Sequence, residues 1–246
     1  MKKLFFTVIA LLSAGQIYAQ SEFRVRLMPQ FAFGGYNTVS NPNHTGTRFS
    51  LSKDLKAEHT AVFSPRLEFE YIYRRNHFIA MGALLRSRYG GDAPLPIHFG
   101  NGFYDTGTPL SAVYRFNTYR FTYRYGVVDN PKFKLELGAT VLVRDAMISL
   151  DGNGTKTSFY DIGVVPLLSY SITWQPIPEI ALLSYGDAFG INKGRAEDIF
   201  AGIRYDCSNR FAVSAGYRIL EGGSNGDKIY TFALFHYLSL GFEVKF

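Results

Sequence analysis

Along most of this chain apolar and polar residues alternate one by one. In "SPRLEFEYIYR", Leu67, Phe69, Tyr71 and Tyr73 alternate with Arg66, Glu68 and Glu70. In "KFKLELGATVLV", Phe133, Leu135, Leu137, Ala139, Val141 and Val143 alternate with Lys134, Glu136, Gly138 and Thr140, and "RFTYRYG" sets Phe121, Tyr123 and Tyr125 against Arg120, Thr122 and Arg124. A period of two places the two sets on opposite faces of a β-strand. Compact groups at 74–76, 129–131, 175–176 and 206–209, rich in Asn, Pro, Asp and Ser, mark tight turns. Longer or glycine-rich connections fall at 37–60, 90–108, 151–156, 190–196 and 221–227. The strands so bounded are 23–36, 61–74, 76–89, 109–127, 131–150, 157–174, 177–189, 196–206, 209–221 and 228–246. Pairing of 47–55 and 93–99 would raise the number from ten to twelve, and eight is the lower alternative.

Half-buried strands of a water-soluble sandwich alternate too. Here several runs reach roughly 15–20 residues, against about 5–6 for an ordinary strand. The chain also holds 22 Phe and 17 Tyr. Many of these gather at one end of the strands, at Tyr71, Tyr73, Tyr123, Tyr125, Trp174, Tyr205, Phe211 and Phe242, as an interfacial ring would. Beyond the N-terminal segment no run of about 18 apolar residues exists, so a spanning helix is excluded. The expected fold is all-β, an antiparallel up-and-down transmembrane β-barrel whose aromatic faces meet membrane lipid.

The first residues, "MKKLFFTVIALLSAGQIYAQ", carry two lysines, an apolar run from Leu4 to Leu12 broken at Thr7, and small residues before Ala19. That is the layout of a cleaved export signal, expected over 1–19, with one barrel domain over 20–246. The formal charge of +6 falls when Lys2 and Lys3 leave, and nucleic acid is not an expected partner of an exported chain. Cys207 is the single cysteine, so neither an intrachain disulfide nor a cysteine metal site is expected. No cofactor or metal is expected.

The chain closes on "LFHYLSLGFEVKF", where Leu240, Phe242, Val244 and Phe246 occupy alternate positions. This ending resembles the C-terminal assembly signal of Gram-negative outer-membrane β-barrels, and the alternation of short and long connections resembles their plan of short periplasmic turns and longer outer loops. The resemblance implies location in the outer membrane, with the barrel-assembly machinery as partner to the last strand. A monomer is expected.

Faces opposite the aromatic ones line the lumen. They bring Arg66, Glu68, Glu70, Arg86, Arg88, Arg120, Arg124, Lys134, Glu136 and Arg204 inward, a mixed-sign set that a narrow barrel must pair or hydrate. A second group lies near the outer strand ends: Arg144, Asp145, Asp161, Asp187, Arg195, Glu197, Asp198, Arg218 and Glu221. It forms a candidate ligand-binding cup, or pins the outer loops. Arg144 and Asp145 are adjacent, so one of them must break the lipid-facing phase or sit above the bilayer. For catalysis a histidine beside an acid would be wanted. His44, His59 and His98 fall in outer loops, His77 follows a lower turn and His236 takes the lipid phase. The His-x-Ser-x-Gly and Asp-x-His arrangements of enzymes on this architecture are absent. The expected role is therefore envelope structure, adhesion or binding of a polar ligand at the outer rim. A lipid- or peptide-modifying enzyme using His98 with Asp92 or Asp105, and a narrow selective channel, are the alternatives.

Overall fold

Alternation this regular leaves each strand with one face for lipid and one for the interior, and only a closed sheet satisfies both. The computed structural model describes residues 21–246; the expected export signal lies outside the described residues. The first stave is broken at Pro29 into β1 (Ser21–Met28) and β2 (Gln30–Ser40). The short pieces β3 (Phe49–Ser50), β4 (Lys56–Ala57) and β5 (Val62–Phe63) belong to the first outer connection. The wall continues through β6 (Arg66–Tyr73), β7 (Asn76–Ala83) and its extension β8 (Arg86–Asp92). After a small hairpin of β9 (Ile97–Phe99) and β10 (Gly102–Tyr104) come β11 (Pro109–Asp129), β12 (Phe133–Gly152) and β13 (Thr155–Ile177). The last four are β14 (Ile180–Ile191), β15 (Gly194–Asp206), β16 (Phe211–Asn225) and β17 (Tyr230–Lys245).

All pairings are antiparallel, in the ring order β1–β6–β7–β11–β12–β13–β14–β15–β16–β17, about ten staves. The ring closes on itself. β1 pairs β17 from Arg24↔Lys245 to Leu27↔Phe242, and β2 continues along β17 from Gln30↔Ser239 to Ser40↔Tyr230. Phe246 seals the seam by exchanging backbone bonds with Phe23. In hydrocarbon this closure is obligatory, because an open edge would leave backbone groups without partners.

Outward positions carry the lipid band: Phe69, Tyr119, Phe121, Val141, Leu168, Ile203, Leu238 and Leu240 are all exposed. The ten strands expected from alternation are present, and the twelve-strand alternative is not, since β3 and β9 stay short and inside the outer connections. Two connections expected as loops are hairpin tips. β12 and β13 are joined by Asn153–Gly154, both with positive φ (49° and 73°), which is the demand of a tight two-residue turn. Asn192–Lys193 joins β14 to β15 in the same compact way.

The staves differ greatly in height. β11, β12 and β13 run 21, 20 and 23 residues, whereas β14 and β15 run 12 and 13. The wall is tall on one side and low on the other. On the tall side the outer connections fold back inside. Leu51 and Leu55 from the first, and Ile97 and Phe99 from the second, pack with Tyr89, Leu110 and Leu150 into a fully buried apolar plug.

A chain ending at Lys245 loses both bonds between Phe246 and Phe23. Its expected behaviour is a reduced folded fraction in the outer membrane of cells, with refolding of purified protein little changed, as read by heat-modified mobility on gels.

Candidate functional site

The lumen has two storeys of opposite chemistry. The lower one is charged. At its top Asp198 accepts two bonds from Arg218 at 2.5 and 2.7 Å, lies 2.6 Å from Arg120 and 3.6 Å from Arg66. Arg120 also donates to Asp187 at 2.6 Å, Thr140 donates to the other oxygen of Asp187 at 2.8 Å, and Arg218 donates to Gln30 at 2.8 Å. These contacts join β2, β6, β11, β12, β14, β15 and β16, so the cluster spans the lumen rather than lining one wall. Below it Arg26 bonds Glu243 at 2.9 Å and also Glu68, which pairs with Arg66 at 3.2 Å. Arg24 lies 3.7 Å from Glu70, and Arg124 bonds Ser169 at 2.8 Å and reaches Glu136 at 3.9 Å. Buried charges persist only when paired and hydrogen-bonded, and the opposed signs here meet that condition.

His77 belongs to this storey. Its Nδ1 shares a 2.8 Å hydrogen bond with Glu70 and its Nε2 lies 3.6 Å from Glu136, at the lower end of the lumen. Among the described residues this is the one trio whose ligand atoms come close enough to hold a metal. The imidazole bridges the two carboxylates by itself, and Arg24 and Arg124 stand beside them.

Above the Asp198 cluster the interior turns apolar. Beside the plug remains a cavity of about 410 Å3, walled by Tyr114, Phe116, Leu142, Ile148, Phe159, Val165, Leu167, Leu220 and Phe235, with Arg120 and Asp198 as its floor. One ion pair stands on its inner wall, Arg144 Nε to Asp161 at 2.9 Å. Gly163 makes room for it, because a Cβ there would lie 2.8 Å from Arg144 Nε.

The expected cup is thus redistributed. Arg144 and Asp161 face the cavity. Asp187, Asp198 and Arg218 are not at the rim; they are buried in the cluster beneath it, because β14 and β15 are short and Arg218 sits at the middle of β16. Asp145 points outward, where it bonds Arg115 at 2.6 Å and Asn117 at 3.3 Å, so it is Asp145 that breaks the lipid-facing phase. Arg195, Glu197 and Glu221 take the outward phase of β15 and β16 while bordering the cavity; Arg195 bonds Glu221 at 2.8 Å, and Tyr36 bonds Glu221 as well.

Of the expected lumen set, Arg66, Glu68, Glu70, Arg120, Arg124, Glu136 and Arg204 face inward. Arg86 and Arg88 do not: they are exposed on the outer face of β8, whose inward positions Ser87 and Tyr89 are buried against the plug. Above the lipid band the outward face no longer needs to be apolar, so the polar and apolar phases exchange. Lys134 is half exposed at the lower mouth, paired with Asp129 at 3.0 Å. His98 is held by the backbone oxygens of Thr45 and Gly100 and stacks on Phe103, and it contacts neither Asp92 nor Asp105. The apolar cavity wall was not anticipated. Its one legible sign was the alternate apolar set Phe159, Val165 and Leu167 on the inner phase of β13, opposite an equally apolar outer phase.

No protein-family profile matches this chain, and no curated protein matches it closely enough to count as a relative. Solved structures similar to it include neisserial surface protein A (15% identity, 91% of this chain and 97% of that one, TM-score 0.35). Ail, the attachment invasion locus protein of Yersinia pestis, is similar at 12% identity over 92% and 99% of the two chains (TM-score 0.37). The translocator domain of autotransporter NalP from Neisseria meningitidis is similar at 10% identity over 100% and 96% (TM-score 0.45). With a closed antiparallel wall and an outward apolar band, this chain has the fold of a transmembrane β-barrel.

Asp198 is the shared partner of three buried arginines. Asp198→Ala is expected to destabilise the barrel by about 3–5 kcal/mol, the cost of stranding buried charge. Denaturant unfolding of the lipid-embedded protein, followed by Trp174 fluorescence, measures it; a change within error would mean the cluster is hydrated and loosely held.

Proposed function

We propose that this barrel is a non-catalytic binding protein of the outer membrane, and that the upper lumen takes an amphiphile. The apolar part of the ligand occupies the cavity beside the plug, and its polar part meets Arg144 and Asp161. The observation that carries this reading is the junction of the two storeys: an apolar cavity of about 410 Å3 whose floor is a salt-bridged cluster. That volume lies in the usual range of small-molecule pockets, roughly 300–1,000 Å3. The floor argues against the channel reading, since an ion crossing there would have to part Asp198 from its arginines. It also changes the ligand class from the purely polar one that the charged strand ends suggested. On this reading the protein works as a monomer, surrounded by outer-membrane lipid and inserted by the barrel-assembly machinery through its last strand.

The test uses a single indole inside the cavity, from Phe159→Trp in a Trp174→Phe background, with the protein held in amphipol. Dibromostearate, a single-chain carboxylate whose bromines quench indole on contact, is added from water. Saturable quenching is expected. Val165→Asp, which puts a charge on the apolar wall, is expected to weaken it by about tenfold or more, a loss of about 1.4 kcal/mol or more. Arg144→Ala is expected to weaken it less. Planar bilayers containing the native protein are expected to stay silent; steady single-channel steps would favour the channel reading instead.

A further inference from the structure

The low side of the wall has a cause in the sequence. Pairing between β13 and β14 runs upward from Trp174↔Leu182 and stops at Leu168↔Ala188. The next pair that faces the β14 side would set Pro166 opposite Gly190. Gln175 donates its N–H to Lys132 of the β12 side. Odd-numbered residues of β13 therefore bond toward β12 and even-numbered ones toward β14, because both backbone groups of a strand residue point to one side. Pro166 is even-numbered. It has no N–H to offer, and the ladder to β14 ends there.

Above this point β13 continues to Thr155 with no strand beside it on that flank, while β14 turns back after Ile191. Phe189 and Ile191 share the inward phase of the buried Asp187, yet they are 42% and 65% exposed, since the wall that should cover them is missing. The cavity reaches this gap: Val164 and Pro166, on the outward phase of β13, border it together with Phe189 and Ile191. The gap also lies at a definite depth. From Trp174 in the lower aromatic ring, β13 climbs about 20 Å to Pro166 at ~3.3 Å per residue and a tilt of roughly 40°. The apolar band of such barrels is about 25 Å tall. On β13 the outward residues just above the gap remain apolar, Val164 and Ile162 being 67% and 77% exposed.

We infer that the notch between β13 and β14 is a lateral port through which a single-chain anionic amphiphile passes from the outer leaflet into the cavity. This rests on the amphiphile-binding reading and adds the source and the charge of the ligand. The apolar walls of the notch are continuous with lipid on one side and with the cavity on the other, so a chain can slide through without meeting water. The head group stays at the outer surface, where the β14–β15 tip offers Lys193. Lys193 makes no ion pair among the described residues, whereas Arg195 beside it is already paired with Glu221. A carboxylate or phosphate head fits the cation of Lys193 at that level.

The experiment places the same indole reporter, Phe159→Trp with Trp174→Phe, in vesicles of phosphatidylethanolamine and phosphatidylglycerol carrying dibromostearate. Cys207→Ser removes the native thiol, and Val164→Cys with Asn192→Cys, one step above Pro166 so that the proline is kept, closes the notch by a disulfide that reductant reopens. The expected result is strong quenching in the reduced protein, loss of quenching in the oxidised one, and recovery on reduction. Quenching that persists with the disulfide formed would overturn the lateral route while leaving the cavity as a binding site. Absence of quenching in every form, in amphipol as well, would remove the binding reading itself.

A second measurement does not depend on the disulfide. In vesicles of dibrominated phosphatidylcholine, and in the Trp174→Phe background, an indole from Leu167→Trp beside the notch should be quenched by the bilayer chains, and one from Phe235→Trp across the cavity on β17 should not. Equal brightness of the two would show the wall closed to lipid and would overturn the inference.

Discussion

Hydrocarbon offers no partner to a peptide group, and that single constraint organises this molecule. Every stave that crosses the membrane must find its hydrogen bonds in its neighbours, so the sheet has to close, and it closes where β1 and β2 share β17. Once the ring is closed, side-chain parity does the rest. Residues of one parity meet lipid and are apolar; those of the other are forced together in a narrow interior, where charge must be neutralised locally. The Asp198 cluster, the Arg26–Glu68–Glu243 group below it and the aromatic band outside all follow from that division.

Where the wall rises out of the bilayer the constraint relaxes, and the chemistry of the two faces changes over. β8 shows the exchange on one strand, with Arg86 and Arg88 outside and Tyr89 inside. The outer connections exploit it, folding Leu51, Leu55, Ile97 and Phe99 inward into a small hydrophobic core of the kind a soluble domain would have. The protein is in this sense two folds stacked: a salt-bridged membrane cylinder below and an oil-filled cap above. The cavity is the space left where the cap fills only the tall side of the cylinder.

The strands were legible because period-two patterning and turn residues are local signals. The expectation for 109–127 is met by Pro109–Asp129, and that for 157–174 by Thr155–Ile177. The inward charges on β6 and the lower half of β11 were legible for the same reason, since one parity rule covers a whole uninterrupted strand. What lay out of reach depends on relative height. Asp187 and Asp198 sit toward the upper ends of their strands in sequence, but their position in the lumen is set by how short β14 and β15 are next to β13. The fate of the two outer connections was hidden too. The inward residues Leu51, Leu55, Ile97 and Phe99 belong to short irregular pieces with no period to read. Pro166 was a different case: a proline inside a strand-like run is a visible mark of an edge, and its meaning emerged only beside the register of β13 and β14.

The uneven height of the wall also bears on the membrane around it. A cylinder of constant height sits upright in a bilayer of constant thickness. This one is more like a wedge: the outward face of β15 becomes charged at Glu197, about 20 Å above Tyr205 along a tilted strand, while that of β13 stays apolar to Ile162, about 30 Å above Trp174. Matching a short wall to a thicker bilayer costs fractions of a kcal/mol per Å of mismatch, through tilt or local thinning. Lipids along that flank are therefore compressed and less ordered than those along β11 to β13. The barrel has a preferred facing in the plane of the membrane, and the thinned sector gives neighbouring proteins of matching thickness a place to gather.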